Sequence, residues 1–188
     1  MANKGQMAVY SALKTIRGRL PMPLLGIDSD NGSEFINAHL LRYCQAEEIS
    51  FTRCRAYHKN DQAHVEQKNY THVRRVVGYD RLEGEEALQQ LRAIYRLLRL
   101  RTNGWLPTMK LVSKQREGSK VKKRYDEPKT PWRRVGQGVN KPTEASKEFE
   151  QELGKWGPVE LNKAMEAEVE KVWKLRTRAQ AQAPATAV

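Results

Sequence analysis

Two acidic residues in the sequence have the setting that metal-ion chemistry on phosphates requires. Asp30 follows a short apolar run within a turn, and Glu66 lies in the first turn of a predicted helix, with residues 31–65 between them. A carboxylate at the end of a strand and one at the start of a helix converge if the helix packs against the sheet. Such hard oxygen ligands suit Mg²⁺ or Mn²⁺. The metal would activate a water or a 3′-hydroxyl and stabilise charge on a phosphodiester.

The elements that must position Asp30 are predicted from hydrophobic patterning. Residues 6–19 form an amphipathic helix with Val9, Leu13 and Ile16 on its inner face, and prolines follow it. The apolar residues 24–27 predict a buried strand, which leads into the Asp28-Ser29-Asp30-Asn31-Gly32 turn.

A second helix and strand are predicted between the turn and Glu66. Ser33 is the candidate N-cap of this helix, and its inner face is predicted to carry Phe35, Leu40, Leu41 and Cys44. Residues 49–52 predict a second strand, residues 53–61 a polar loop, and residues 62–77 and 84–100 two further helices.

The chain changes character at residue 103. The basic stretch that follows is punctuated by Pro107, Gly118, Pro128 and Pro131, and it is predicted to be an extended arm rather than a packed layer. A helical pair begins at Pro142-Thr143-Glu144 and breaks at Gly157-Pro158. A stripe of Leu161, Met165, Val169, Val172 and Trp173 lies on its second helix, and an Ala/Gln/Pro-rich tail follows.

Charge and composition narrow the class of protein. The net charge is +12, and residues 110–134 contain ten basic and three acidic side chains. Such a patch favours a polyanionic partner through counterion release. No run approaches the ~20 apolar residues that a membrane span requires, and no secretory signal is recognised. Two cysteines are too few for a disulfide scaffold. A cytosolic, reduced protein is therefore expected.

Residues 1 to about 134 resemble the second part of the integrase catalytic core, the DDE-type transposases and retroviral-integrase-like recombinases, and bacterial insertion-sequence transposases in particular. The resemblance rests on Asp-Asn-Gly-Ser-Glu-Phe at 30–35, the 35-residue gap, and the loop and helix 57–66 that end in Glu66. Arg-Arg-Val-Val-Gly-Tyr-Asp-Arg at 74–81 and Pro-Thr-Met-Lys-Leu-Val at 107–112 extend it.

The resemblance implies an α/β protein with a partial RNase H-like fold of two remaining strands with helices, followed by the basic arm and the helical pair. The predicted segments are a partial catalytic core (1–103), a basic arm and linker (104–142), a helical segment (143–178) and a disordered tail (179–188). The resemblance also implies DNA transposition and recombination as the activity, Asp30 and Glu66 as catalytic metal ligands, and Mg²⁺ (or Mn²⁺) as the cofactor. DNA is the expected partner, within a homo-oligomer when part of a complete transposase, in the bacterial cytoplasm at the nucleoid.

The chain departs from the family pattern at its first carboxylate. The family places an Asp on the first strand, but the sole acidic residue before Asp30 is Asp28. The chain is therefore expected to be N-terminally truncated and inactive alone, unless Asp28 replaces the missing residue from the same strand face.

Other residues are candidates for contact with nucleic acid. They are His64, Lys68, Asn69, Arg74 and Arg75 around the Glu66 helix, and Lys120, Lys122, Lys123 and Arg124 in the basic arm. Each has a plainer interpretation, a structural histidine or a solvated charged surface. A basic nucleic-acid-binding protein without catalysis is the alternative function, and a ribonucleoprotein component is a more distant one.

Overall fold

A computed structural model of the protein describes residues 5–29, 38–55, 63–80, 82–138 and 143–182. These residues form helices and two small sheets, so the predicted mixed α/β class is confirmed. The α-helices are α1 (Gln6–Gly18), α2 (Ala38–Ala46), α3 (Ala63–Lys68), α4 (Arg75–Val77), α5 (Gly84–Leu100), α6 (Pro131–Gly136), α7 (Glu144–Leu153) and α8 (Pro158–Gln182). The described residues also form two π-helical segments, π1 (Asn69–Arg74) and π2 (Arg101–Trp105). The strands are β1 (Gly26–Ser29), β2 (Ser50–Arg53), β3 (Leu111–Glu117) and β4 (Lys120–Tyr125). None of the described helices is both long and apolar enough to span a membrane.

The first sheet is a parallel β–α–β unit. β1 and β2 pair in parallel, from Gly26 opposite Ser50 to Ser29 opposite Arg53, and α2 lies on the connection between them. The pairing continues beyond β2, because the Cys54 N–H donates to the Ser29 carbonyl at 2.8 Å. Both strands therefore point their carboxyl ends toward the same edge, and Asp30 is the next residue after β1.

One face of this sheet is covered by α1 and α2. Ile27 and Phe51 pack on a buried cluster of Leu40, Cys44 and Ile49, which Leu13 of α1 also contacts. The inward positions predicted for Val9, Leu40 and Cys44 are confirmed.

Two apolar residues predicted on inner faces are on the surface instead. Ile16 is 55% exposed and Leu41 is 41% exposed. A sheet of two strands is narrow, so one stripe from each helix covers it and the neighbouring apolar positions remain in solvent.

The helix predicted over residues 62–77 is interrupted by π1. The Thr71 hydroxyl donates to the Gln67 carbonyl at 2.9 Å, which satisfies one backbone group in the widened turn. Val73 of π1 and Val76 and Val77 of α4 pack against Ile94 and Val172. The second half of the helix is thus anchored to α5 and α8.

Helix α5 has the predicted bounds and carries the core of the C-terminal part. Leu97 and Leu100 form a cluster with Phe149 of α7 and Leu161 of α8, and Trp132 of α6 packs against it. Arg99 Nη2 also lies 3.0 Å from the Glu152 carboxylate of α7.

The basic stretch after residue 103 is more regular than the predicted extended arm. β3 and β4 form an antiparallel hairpin, in which Glu117 lies opposite Lys120 and Lys114 lies opposite Lys123. Gly118 takes a positive φ of 62° at the first position of the two-residue loop, a conformation that favours glycine. The prediction missed this regular structure, although every residue of both strands is exposed, as expected for an arm.

The C-terminal helical pair agrees with the prediction at its break. α7 begins at a capping box, where the Thr143 hydroxyl accepts from the Ser146 N–H at 3.2 Å. Leu161 and Val172 of α8 are buried, whereas Trp173, predicted in the same stripe, is 56% exposed, because it follows Val172 directly and turns toward the next face of the helix. α8 continues to Gln182, four residues into the segment predicted as a disordered tail.

Candidate nucleic-acid interface

Of the two predicted metal ligands, Glu66 lies within the described residues and Asp30 does not. Glu66 lies in the first turn of α3, as predicted, and its side chain is exposed, as are those of Val65, Gln67 and Lys68 around it. Asp30 lies outside the described residues. Its convergence with Glu66 therefore remains a prediction, supported by the position of Asp30 immediately after β1.

Asp28, the alternative first carboxylate, lies on the sheet face opposite the apolar cluster. Ile27 packs on the cluster and Ser29 is buried, so the alternation of side chains directs Asp28 outward. Its Oδ1 accepts a hydrogen bond of 2.7 Å from the Thr52 hydroxyl of β2. Asp28 thus has a structural partner on the neighbouring strand.

The residues predicted to contact nucleic acid after Glu66 fall into two environments. Lys68, Asn69 and Arg75 are exposed, and α3 also contains His64, whose side chain lies outside the described part. Arg74 is half-buried, with its guanidinium carbon 5.1 Å from the centre of the Tyr79 ring. Lys68, Asn69 and Arg75 are therefore available to a phosphate backbone, while Arg74 is engaged in packing.

The β3–β4 hairpin brings together the basic residues predicted from the arm. Lys120, Lys122, Lys123 and Arg124 all lie on β4, and all are exposed. Their neighbours on β3, Lys114 and Arg116, belong to the same basic stretch 110–134 that was predicted to contact a polyanion. Sequence reasoning missed the pairing of the two strands, and the signal that would have found it is Gly118-Ser119 between two runs that contain strand-forming residues.

The base of the hairpin is held to α6 by a charged hydrogen-bond network. Asp126 accepts two bonds from Arg134, of 2.5 Å to Nη1 and 3.0 Å to Nη2, and a third of 2.6 Å from the Lys110 N–H. The Arg134 guanidinium, with the Lys110 backbone, lowers the pKa of Asp126 to about 2. Arg134 Nη2 also donates to the Thr108 carbonyl at 2.6 Å. Because Trp132 of α6 packs on Phe149, the hairpin projects from a fixed base.

Both cysteines, Cys44 and Cys54, are buried and neither forms a disulfide. Burial raises the pKa of the Cys44 thiol, which lowers its reactivity at neutral pH. Among the residues that the structure describes, no three His, Cys, Asp or Glu side chains are grouped closely enough to hold a metal ion.

Comparison with known proteins leaves the function open. No protein-family model matches the chain, and no solved structure does. A relative from Sinorhizobium fredii, described as uncharacterized protein y4rM, is 47% identical over 128 residues. The match covers 68% of this chain and 37% of that relative, so the chain spans little more than a third of its length.

Proposed function

We propose that this chain is part of a DDE-type transposase or integrase of a bacterial insertion sequence, with an RNase H-like core, acting on DNA phosphodiesters. The observation that carries the proposal is the parallel β1–α2–β2 unit, whose first strand ends immediately before Asp30. In open α/β sheets, ligands bind outside the carboxyl ends of the strands, and Asp30 is the residue that follows the carboxyl end of β1 in the sequence. Glu66 then lies 36 positions further on, exposed at the start of a helix.

The partial sheet is compatible with the proposed fold. Within the described residues β1 pairs on one edge alone, with β2, so its other edge is available to a further strand. The face away from α1 and α2 is polar, with Asp28 and Thr52 hydrogen-bonded across the two strands.

Asp30 and Glu66 are the residues that would hold Mg²⁺ or Mn²⁺. Glu66 fits this role because its carboxylate is a hard oxygen donor on an exposed helical turn. When bound, the ion supplies a lowered pKa for the attacking water or hydroxyl and stabilises charge on the phosphodiester. The chain's own contribution is to place the two carboxylates and to hold DNA through Lys68, Asn69 and Arg75.

Two carboxylates are expected to bind metal without completing the reaction. We therefore expect the 188-residue chain to bind Mn²⁺ and DNA, and to lack strong cleavage or strand transfer by itself. As part of an insertion-sequence recombinase it would act as a homo-oligomer on DNA, in the cytoplasm at the nucleoid.

The test measures Mn²⁺ binding and DNA cleavage by the wild type, Glu66→Gln and a matched control, Glu166→Gln. Glu166 is also an exposed helical glutamate, on α8. The proposal expects Glu66→Gln alone to weaken Mn²⁺ binding. Equal Mn²⁺ binding by all three proteins would contradict it, and strong metal-dependent cleavage abolished by Glu66→Gln would show that the site is complete.

A non-catalytic nucleic-acid-binding protein is the second candidate, and the exposed basic hairpin favours it. DNA binding that persists in EDTA and falls steeply with salt, with no cleavage and no Mn²⁺ binding, would support this function instead.

A further inference from the structure

The two faces of the β3–β4 hairpin carry different side chains. Successive residues of a strand alternate between faces, and residues directly opposite share one. The first face, here called the lysine face, consists of Leu111, Lys114, Arg116, Val121, Lys123 and Tyr125. The second, the glutamate face, consists of Ser113, Gln115, Glu117, Lys120, Lys122 and Arg124.

The two faces have equal numbers of cations but differ in their counter-anions. On the glutamate face, Lys122 Nζ lies 2.9 Å from the Glu117 carboxylate. The lysine face has no acidic residue, and within the described residues neither Lys114 nor Lys123 makes an ion pair. The lysine face is therefore the more strongly positive of the two.

Lys114 and Lys123 lie directly opposite each other. Like charges in this position destabilise a strand pair. The hairpin thus contains a local repulsion that an external anion would relieve.

Arg116 and Tyr125 define the two ends of the lysine face. Arg116 Nε donates to the Gly118 carbonyl at 3.1 Å, which fixes the guanidinium at the hairpin tip. Tyr125 lies opposite Leu111 near the base and is 46% exposed.

We propose that the lysine face is the DNA-contacting surface of the hairpin, and that its partner is the phosphate backbone of duplex DNA. The inference rests on the proposed action on DNA and adds which surface makes the contact. A two-stranded ribbon is narrow enough for the major groove, which is about 12 Å wide. Single-strand binding surfaces stack successive bases on aromatic rings, whereas this face has one ring and three cations.

The test compares two triple variants of the full chain that remove equal charge. One is K114Q/R116Q/K123Q on the lysine face, and the control is K120Q/K122Q/R124Q on the glutamate face. The affinity for a short labelled duplex is measured by fluorescence anisotropy between 50 and 200 mM salt. Three lost phosphate contacts lower the slope of log affinity against log salt by about 2.7, and the control is expected to lower it by less than about 1.

Each outcome decides the inference. Equal losses in the two variants, or a larger loss in the control, would overturn the face assignment while DNA binding itself stands. Unchanged binding in both variants would also overturn it, and failure of the wild type to bind DNA would overturn the proposed function as well. Tighter binding to an oligothymidine that is weakened by Tyr125→Leu would exclude the duplex as the preferred partner.

A stability measurement separates DNA contact from damage to the fold. Lys123→Gln removes the repulsion with Lys114, so amide hydrogen exchange in the free hairpin should slow while DNA affinity falls. Lys122→Gln loses the Glu117 ion pair, so exchange should be unchanged or faster. Faster exchange in Lys123→Gln would contradict the proposed repulsion and attribute its DNA defect to disruption of the hairpin.

Discussion

Excision of the β3–β4 hairpin should separate DNA affinity from folding. The variant replaces residues 112–124 with Asn-Gly, so that the Leu111–Tyr125 pair flanks a two-residue loop of a favoured type. The replacement removes six basic residues and one acidic residue, which is five of the +12 net charge. Because every residue of both strands is exposed, little apolar burial is lost. We expect Tm to change by less than about 2 °C.

The effect on DNA binding follows from the number of phosphate contacts removed. Three to six lost contacts lower the salt slope by about 2.7 to 5.4, so the loss of affinity between 50 and 200 mM salt shrinks by about 40- to 2,000-fold. Anisotropy with a labelled duplex measures the slope, and thermal unfolding followed by circular dichroism measures Tm. An unchanged slope would refute the hairpin as a DNA-binding element, and a large fall in Tm would refute its structural independence.

Three further predictions concern the framework of the C-terminal part. Leu161 is fully buried, so Leu161→Ala should lower the free energy of unfolding by about 3 kcal/mol and Tm by about 6–12 °C, measured by calorimetry. A change in Tm of less than about 2 °C would contradict the assigned core. In Gly104→Ala the new Cβ would lie 2.7 Å from Leu153 Cδ2, so the free energy of unfolding should fall by about 1–3 kcal/mol. The double variant with Leu153→Ala should lose less than the sum of the two single losses, because the smaller side chain removes the clash. Simple additivity of the two losses would contradict the contact. Because the pKa of Asp126 is lowered, its contact with Arg134 contributes stability in full above pH 3.8 and loses it as the pH falls through about 2. Hydrogen-exchange protection at the hairpin base, corrected for the intrinsic exchange rate at each pH, should therefore fall in that range. Asp126→Asn should abolish this fall in protection, and its persistence would contradict the assignment.

Periodic hydrophobic patterns allowed much of the fold to be predicted from the sequence. The pattern of α5 gave its bounds at 84 and 100, and the glycine-proline break at 157–158 separated α7 from α8 as expected. The two strands of the first sheet were predicted within two residues of β1 and one residue of β2, because each is a short run of strand-forming residues between turns.

The missed features depend on interactions that local patterns do not show. The β3–β4 hairpin has no apolar alternation, since both of its faces are exposed and basic, so its charged residues concealed the strands. Helical spacing predicted burial for three apolar residues that are exposed, Ile16, Leu41 and Trp173. Burial of such a residue depends on how wide a surface the helix packs against, which the local pattern does not show. The Asp126–Arg134 contact at the hairpin base likewise requires a hairpin to exist before the residues can meet.

The candidate site was predicted from the spacing of Asp30 and Glu66, and the structure describes the surroundings of these two residues to different extents. Glu66 is exposed on a helix as expected, and Asp30 follows a strand that pairs in parallel with its neighbour. The meeting of their carboxylates is the central claim, because the assignment of recombinase chemistry depends on it.

Paramagnetic broadening by Mn²⁺ tests that claim most directly. If the two carboxylates share one ion, the backbone amide signals around residues 30 and 66 will broaden together at substoichiometric Mn²⁺, and both effects will disappear in Glu66→Gln. Broadening around one residue alone, or none at either, would contradict a shared site.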